Sequence, residues 1–197
     1  MNRSLIWAGV VAAVLGLLLV WGVGSYNNLV KLEQAVDSQW AQVENVYQRR
    51  ADLVPNLVAT VKGAAAHERE TLEAVTRARA DVGKVEMTAP YDDPEAMAKF
   101  EAAQGELSSA LSRLLVVVEQ YPQLQANQNF LSLQSQLEGT ENRIAVERMR
   151  FNEAAREYNT KRSTFPTAMV ANMFGSFEPK AYFHSQAGAE NAPQVEF

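Results

Sequence analysis

Apolar and glycine residues run without a charge from Leu5 to Val23, and then give way to a stripe at steps of mostly three and four. That stripe is Leu29, Leu32, Val36, Trp40, Val43 and Tyr47, resuming at Val54, Leu57, Val61 and Ala64. As a helix rising about 1.5 Å per residue, the first run covers close to the roughly 30 Å hydrocarbon thickness of a bilayer. The second has the period of an amphipathic helix. Some fifty residues of it would extend on the order of 75 Å, which points to an elongated hairpin or bundle. Pro55 lacks the N–H of an ordinary helical residue and its ring clashes with the preceding turn, so it is expected to kink the helix or split it. Gly63 weakens the turn that follows, and Gly83 reads as a C-terminal stop.

Lys84 to Asp93 reads as a loop containing Pro90. Asp93 then makes a good N-cap, with Pro94 at the first helical position and Glu95 suiting the helix dipole. The helix it opens carries Met97, Phe100, Leu107, Leu111, Leu114, Leu115 and Val118, and is expected to end at Tyr121-Pro122. Asn127 or Asn129 caps the next, whose stripe of Phe130, Leu133, Leu137, Ile144, Phe151, Ala155 and Tyr158 runs to about Arg162. A short apolar helix, Thr167 to Phe174, precedes Gly175, and we expect it to cap the end of the bundle rather than to touch a membrane or a partner. The predicted fold is all-α: an N-terminal transmembrane helix, then an elongated antiparallel bundle of three long helices plus the short C-terminal one. Residues 1–25 form the anchor, 26–175 the bundle, and 176–197 an irregular, mobile tail.

The anchor reading competes with a cleaved signal peptide, whose apolar region is about 7–15 residues and ends at an A-x-A-like site. Gly22-Val23-Gly24 is a poor version of that site. Trp7 and Trp21 near the two ends of the run suit the headgroup region. Within it Ala8, Ala12 and Gly16 recur at i, i+4 and i+8, with Gly9 and Ala13 beside them, a small-residue face on which a second helix could pack. Arg3 before the run nearly balances Lys31 and the later Arg49 and Arg50 after it, with a lean towards a domain on the non-cytoplasmic side.

Composition narrows function mainly by exclusion. A net charge of −5 and no basic run argue against nucleic-acid binding, and the absence of cysteine removes disulfides, thiolate metal sites and thiol catalysis. His67 and His184 are far apart and have no second histidine at ligand spacing, and no phosphate loop, nucleophile elbow or zinc-helix motif is present. His67-Glu68 lies in a charged run that reads as a solvated face. No catalytic, cofactor-binding or metal-binding residue is therefore assigned.

The densest local chemistry is Arg49-Arg50-Ala51-Asp52-Leu53-Val54-Pro55-Asn56. Pro55 leaves the Ala51 carbonyl without its helical donor, and Asn56 or an arginine could supply one. Arg49, Arg50, Asp52, Pro55 and Asn56 thus form either a hydrogen-bonded kink or a contact for a partner or headgroup, the first being preferred because broken backbone pairs demand partners. A second polar group, Glu138, Glu141, Asn142, Arg148, Arg150 and Asn152, could pair with Arg49 or Arg50 across the bundle and fix its register.

From end to end the chain resembles the LemA family. The N-terminal span is followed by Tyr26-Asn27-Asn28-Leu29-Val30, Trp40, the stretch Arg49 to Val58, Val61-Lys62-Gly63 and His67-Glu68. Glu119-Gln120-Tyr121-Pro122, Leu137 to Asn142, Glu157-Tyr158-Asn159, Phe165-Pro166, Tyr182-Phe183 and Val195-Glu196-Phe197 continue the match, with Phe151 standing where many members would have tyrosine. The resemblance implies a bacterial, membrane-anchored antiparallel bundle without an accepted enzymatic activity. It also suggests a membrane role, some similar proteins taking part in magnetosome membrane formation. The functional expectation is a single-pass inner-membrane scaffold, coiled-coil-like and self-associating, that organises membrane or recruits envelope proteins. The alternative is a monomeric adaptor for one protein partner; the partners expected are the lipid bilayer, a second copy and another envelope protein, with no cofactor.

Overall fold

The computed structural model describes residues 3–65, 67–85 and 89–184. Its elements are α1 (Arg3–Ala64), α2 (Arg69–Val82), a 3₁₀ turn (Pro90–Asp92), α3 (Pro94–Val118), α4 (Pro122–Gln125), α5 (Gln128–Ser163) and α6 (Thr167–Phe174). No strand occurs among the described residues. Residues 185–197 of the expected tail, with Val195-Glu196-Phe197, lie outside them.

One helix of 62 residues makes both the apolar N-terminal run and the first arm of the bundle. The backbone has no interruption near residue 25, where the sequence changes character. The N-terminal part is long and apolar enough to cross a membrane, and none of its most apolar window is buried against the rest of the protein. Beyond it the buried residues of α1 are Ser25, Leu29, Val36, Trp40, Val43, Tyr47, Arg50, Val54, Leu57 and Val61. Those of α5 include Phe130, Leu137, Ile144, Phe151 and Tyr158, seven residues apart. Steps of three and four that sum to seven suit helices packed side by side over a long contact. α1 and α5 lie against one another along that contact, antiparallel, so that Val54 and Leu57 share a core with Leu137 and Phe130, while Leu29 and Trp40 share one with Tyr158 and Phe151.

Pro55 does not split the helix; the chain reverses ten residues later, around Ala65–Glu68. α2 returns along α1, burying Leu72, Val75, Ala78 and Val82, and α3 turns again to pack on α2. The result is an up-down-up-down arrangement with the 3₁₀ turn lengthening the second arm. Asp93 caps α3 by accepting from the Glu95 N–H at 2.9 Å, and Asn127 rather than Asn129 caps α5, accepting from the N–H groups of Asn129 and Phe130. α3 ends at Val118, slightly before the expected Tyr121-Pro122, and Pro122 opens the one-turn α4. Gly175, at φ +63°, closes α6 in the left-handed conformation that glycine tolerates.

Two apolar cores result. The one nearer the N-terminal run is aromatic, with the Trp40 ring against those of Tyr91, Phe100, Phe151 and Phe183. The distal one is mainly aliphatic, with Phe130, and is closed by Leu124 of α4. α6 lies at the other end, against α1 and α5, and does cap the bundle: Thr167, Val170 and Ala171 are buried. Its remaining apolar side chains face outward.

Candidate functional site

The boundary between the two cores is polar and centred on Arg50. In the seven-residue register of α1, position 50 follows Leu29, Val36 and Val43 and precedes Leu57, so the guanidinium occupies a core position and is 1% exposed. Nη1 donates to Ser108 Oγ at 2.7 Å and Glu141 Oε1 at 2.9 Å; Nη2 donates to the Gln104 side-chain oxygen and, at 3.3 Å, to the Gln104 carbonyl. The Tyr47 ring lies 5.1 Å from the guanidinium carbon. An arginine fork suits this task because its planar donors reach several fixed acceptors at once. One residue thereby ties α1 to α3 and α5. Nε is buried without a partner among the described residues.

Beside this layer is a pocket of ≈ 270 Å³ between α3 and α5, bordered by Glu101, Gln104, Glu141, Arg148 and His184. Its charges are already paired. Arg148 donates to Glu101 at 3.0 Å and to the His184 carbonyl at 2.7 Å, and its guanidinium lies over the Phe183 ring at 4.6 Å. Burial pushes the Tyr47 hydroxyl above the usual tyrosine range, against the opposing pull of Arg148 and Arg50. The arrangement can fix helix register.

The other residues of the Arg49–Asn56 cluster do not join Arg50. Arg49, Asp52, Pro55 and Asn56 are exposed on the outer side of α1, with Asp52 accepting from Gln48 at 2.9 Å. The carbonyl left without a donor by Pro55 is satisfied from another helix: Arg79 Nε of α2 donates to the Ala51 oxygen at 2.8 Å. Asn56 is not the donor, its own carbonyl accepting instead from the Thr60 hydroxyl. From the second polar group Glu141 reaches Arg50, while Arg150 pairs locally with Glu147. His67 is exposed, and its neighbour Glu68 accepts from the Tyr121 hydroxyl at 2.8 Å, linking the turn after α1 to the end of α3. Among the described residues no three histidine, aspartate or glutamate side chains are grouped to hold a metal. In the N-terminal run, a Cβ added at Gly9 or Gly16 would meet nothing within 4 Å.

Sequence reasoning missed the site made by residues 176–184. This stretch is irregular but firmly held. Asn159 donates to the Lys180 carbonyl at 2.8 Å and accepts from the Lys180 N–H at 2.9 Å; Asn152 does the same for Phe183, at 2.9 Å each way. The two amides thus pair with the main chain as a neighbouring strand would. Arg162 donates to the Phe177 carbonyl, and Ala181 N–H to the Tyr91 carbonyl at 2.7 Å. Lys180, itself buried, donates to Glu33 at 2.7 Å and Asp92 at 2.8 Å, with the rings of Tyr91 and Tyr158 nearby. Burial disfavours its ammonium, but the hydrogen bonds to Asp92 and Glu33 outweigh that and hold its pKa above the usual lysine value. This segment closes the aromatic core with Phe177 and Phe183.

The sequence profile described as the LemA family matches residues 39–197. Among curated proteins, magnetosome protein MamQ of Magnetospirillum gryphiswaldense is 26% identical, over 86% of this chain and 70% of its own length. Magnetosome protein MamQ 2 of Paramagnetospirillum magneticum is 27% identical, over 84% and 66%. Protein LemA of Metamycoplasma hominis is 24% identical, over 76% and 64%. None of these names denotes an enzyme. The profile covers the bundle from residue 39 onward, the Arg50 layer and the segment that closes the aromatic core, and the chain belongs to the LemA family.

Proposed function

We propose that this protein is a non-enzymatic, membrane-anchored helical scaffold whose bundle stands on the non-cytoplasmic side of a bacterial inner membrane and assembles with copies of itself. The observation that carries the reading is the continuity of α1, which makes the apolar run and the first bundle arm a single rigid rod. A flexible linker would only tether a domain, whereas a continuous helix fixes its orientation. Self-association is assigned to the face of Ala8, Ala12 and Gly16, with Gly9 and Ala13 beside it, where small side chains let helix backbones approach closely.

The open space around Gly16 gives a clean test. Gly16→Leu leaves the single protomer undisturbed and blocks close approach of a second helix. The full-length protein, extracted from native membrane in mild detergent, should run as a discrete multiple that Gly16→Leu dissociates. A monomer in detergent that also fails to crosslink in native membrane would sink the assembly.

The exposed row Arg49, Asp52 and Asn56 favours a second reading, a monomeric adaptor that presents one helix face to a protein partner. Arg49→Glu is the variant to use, because Arg50 is part of the core and its reversal would unfold the bundle. Loss of a defined heterologous crosslink, with the helical signal unchanged, would support the adaptor.

A further inference from the structure

α6 presents a second apolar surface, and its position fixes what it meets. Met169 and Met173 stand four residues apart along one side, 63% and 74% exposed; Phe174 is 53% exposed, and Phe165, just before the helix, is 77% exposed. Residues 165–177 carry no charge. The opposite side, with Val170 and Ala171, is packed on the bundle, so the orientation of the helix is set from within. The Tyr26 ring holds it to α1 through edge contacts with Phe174 at 4.9 Å and Phe177 at 5.4 Å.

This surface is continuous with that of the N-terminal run. A cleft of ≈ 880 Å³ has Leu15, Leu18 and Trp21 of α1 on one wall and Phe165, Met169 and Met173 on the other. Groups that line one cleft share its depth. If Leu5–Val23 occupies the hydrocarbon, Leu18 lies about 7.5 Å inside its boundary at about 1.5 Å per residue. The outward side of α6 is then carried below that boundary by α1 itself. About 5–10 Å is the depth at which amphipathic helices lie in a bilayer surface. Exposed to water, such a patch would be a liability; placed among acyl chains, it is solvated.

We propose that α6 is a second membrane contact, a helix lying in the leaflet from which α1 emerges, whose ligand is the acyl chains of that leaflet. The proposal rests on the membrane-anchored reading of α1, and continuity with that span selects lipid over a protein partner. Together α1 and α6 grip the bilayer at two points, which fixes both the tilt and the rotation of the bundle.

The chain has no cysteine, so single-cysteine variants can carry a spin label at chosen positions. The full-length protein would be placed in vesicles of phosphatidylethanolamine and phosphatidylglycerol, and collisions with oxygen and with a water-soluble nickel chelate compared. The labels are Met169→Cys and Met173→Cys in α6, Leu18→Cys in the span, and Arg113→Cys on the exposed side of α3 as the aqueous reference. The expected result is an oxygen-to-nickel ratio at 169 and 173 in the range of the Leu18 label and well above that at 113. Nickel-accessible labels at 169 and 173 beside a lipid-immersed Leu18 label would overturn the α6 proposal and leave the anchor intact. Water access at Leu18 as well would overturn both. Protection from both reagents, with spin–spin broadening, would assign the surface to a second copy and also overturn the proposal.

Discussion

Arg79 and Pro55 solve one problem between them: a proline inside a helix orphans a carbonyl, and the neighbouring helix returns a donor to it. Arg79→Ala should cost about 1 kcal/mol, the low end of the roughly 1–3 kcal/mol for a buried acceptor left unpaired, because this bond is half-buried. Pro55→Ala restores the N–H that Ala51 needs, so Arg79→Ala should be distinctly milder in that background. A double-mutant cycle read by thermal unfolding checks this, and full additivity would mean that the two residues act independently. Tyr158 makes a separate case. Its buried hydroxyl has no partner among the described residues, and burial pushes it up to about 12, Glu33 adding to the shift while Lys180 and Arg162 oppose it. The folded state therefore holds this proton more tightly than the unfolded chain, whose tyrosine titrates near 10. The stability so contributed is complete below pH 10 and fades as the pH rises through about 12. Tyr158→Phe should be nearly neutral at pH 7 and should move the alkaline unfolding midpoint upward. The elevated Lys180, which loses its charge in the same direction, keeps part of the dependence. An unchanged alkaline midpoint would show that Tyr158 titrates as freely in the bundle as outside it.

On α5 the apolar stripe has a polar companion. Arg148, Asn152, Asn159 and Arg162 recur at steps of four, seven and three, and each holds the main chain of residues 177–184. Replacing both asparagines by alanine removes five hydrogen bonds, four to the main chain and one to the Tyr182 hydroxyl, without touching the apolar stripe. The double variant should release residues 177–184 to proteolysis and rapid amide exchange while the helical signal of α1 and α5 persists; slow exchange there would show that Phe177 and Phe183 suffice alone. That companion stripe was legible in principle, since hydrogen-bonding side chains at helical spacing along a core edge imply a chain lying beside them. The sequence of 176–184 itself, irregular and with Pro179, offers no period to recognise, which is why it reads as a tail. Arg50 left a similar trace, because the apolar stripe steps from Tyr47 to Val54 and omits the core position between them. The reversal after Ala64 left none: Ala65 and Leu72 are seven apart and both buried, so a straight helix and a hairpin give the same pattern. Caps were easier to read because their chemistry is local, as at Asp93 and Asn127.

For the molecule as a whole, the unbroken helix through Gly22-Val23-Gly24 is the decisive element, and it can be interrupted. Inserting a short Gly-Ser segment between Gly24 and Ser25 should leave the bundle's unfolding temperature nearly unchanged, since the residues packed into the aromatic core begin at Tyr26, beyond the insertion. Pulsed EPR distances between labels at Leu18 and Arg113 should widen from one narrow distribution to a broad one. A distribution that stays narrow would mean that α6 alone holds the bundle in place. With α1 intact, its 62 residues behave as a drive shaft on the order of 90 Å long. The angular position of the bundle about its long axis and that of the apolar run are therefore set together, so in the proposed anchored state the rotation held by α6 also decides which side of the run a neighbouring helix would meet.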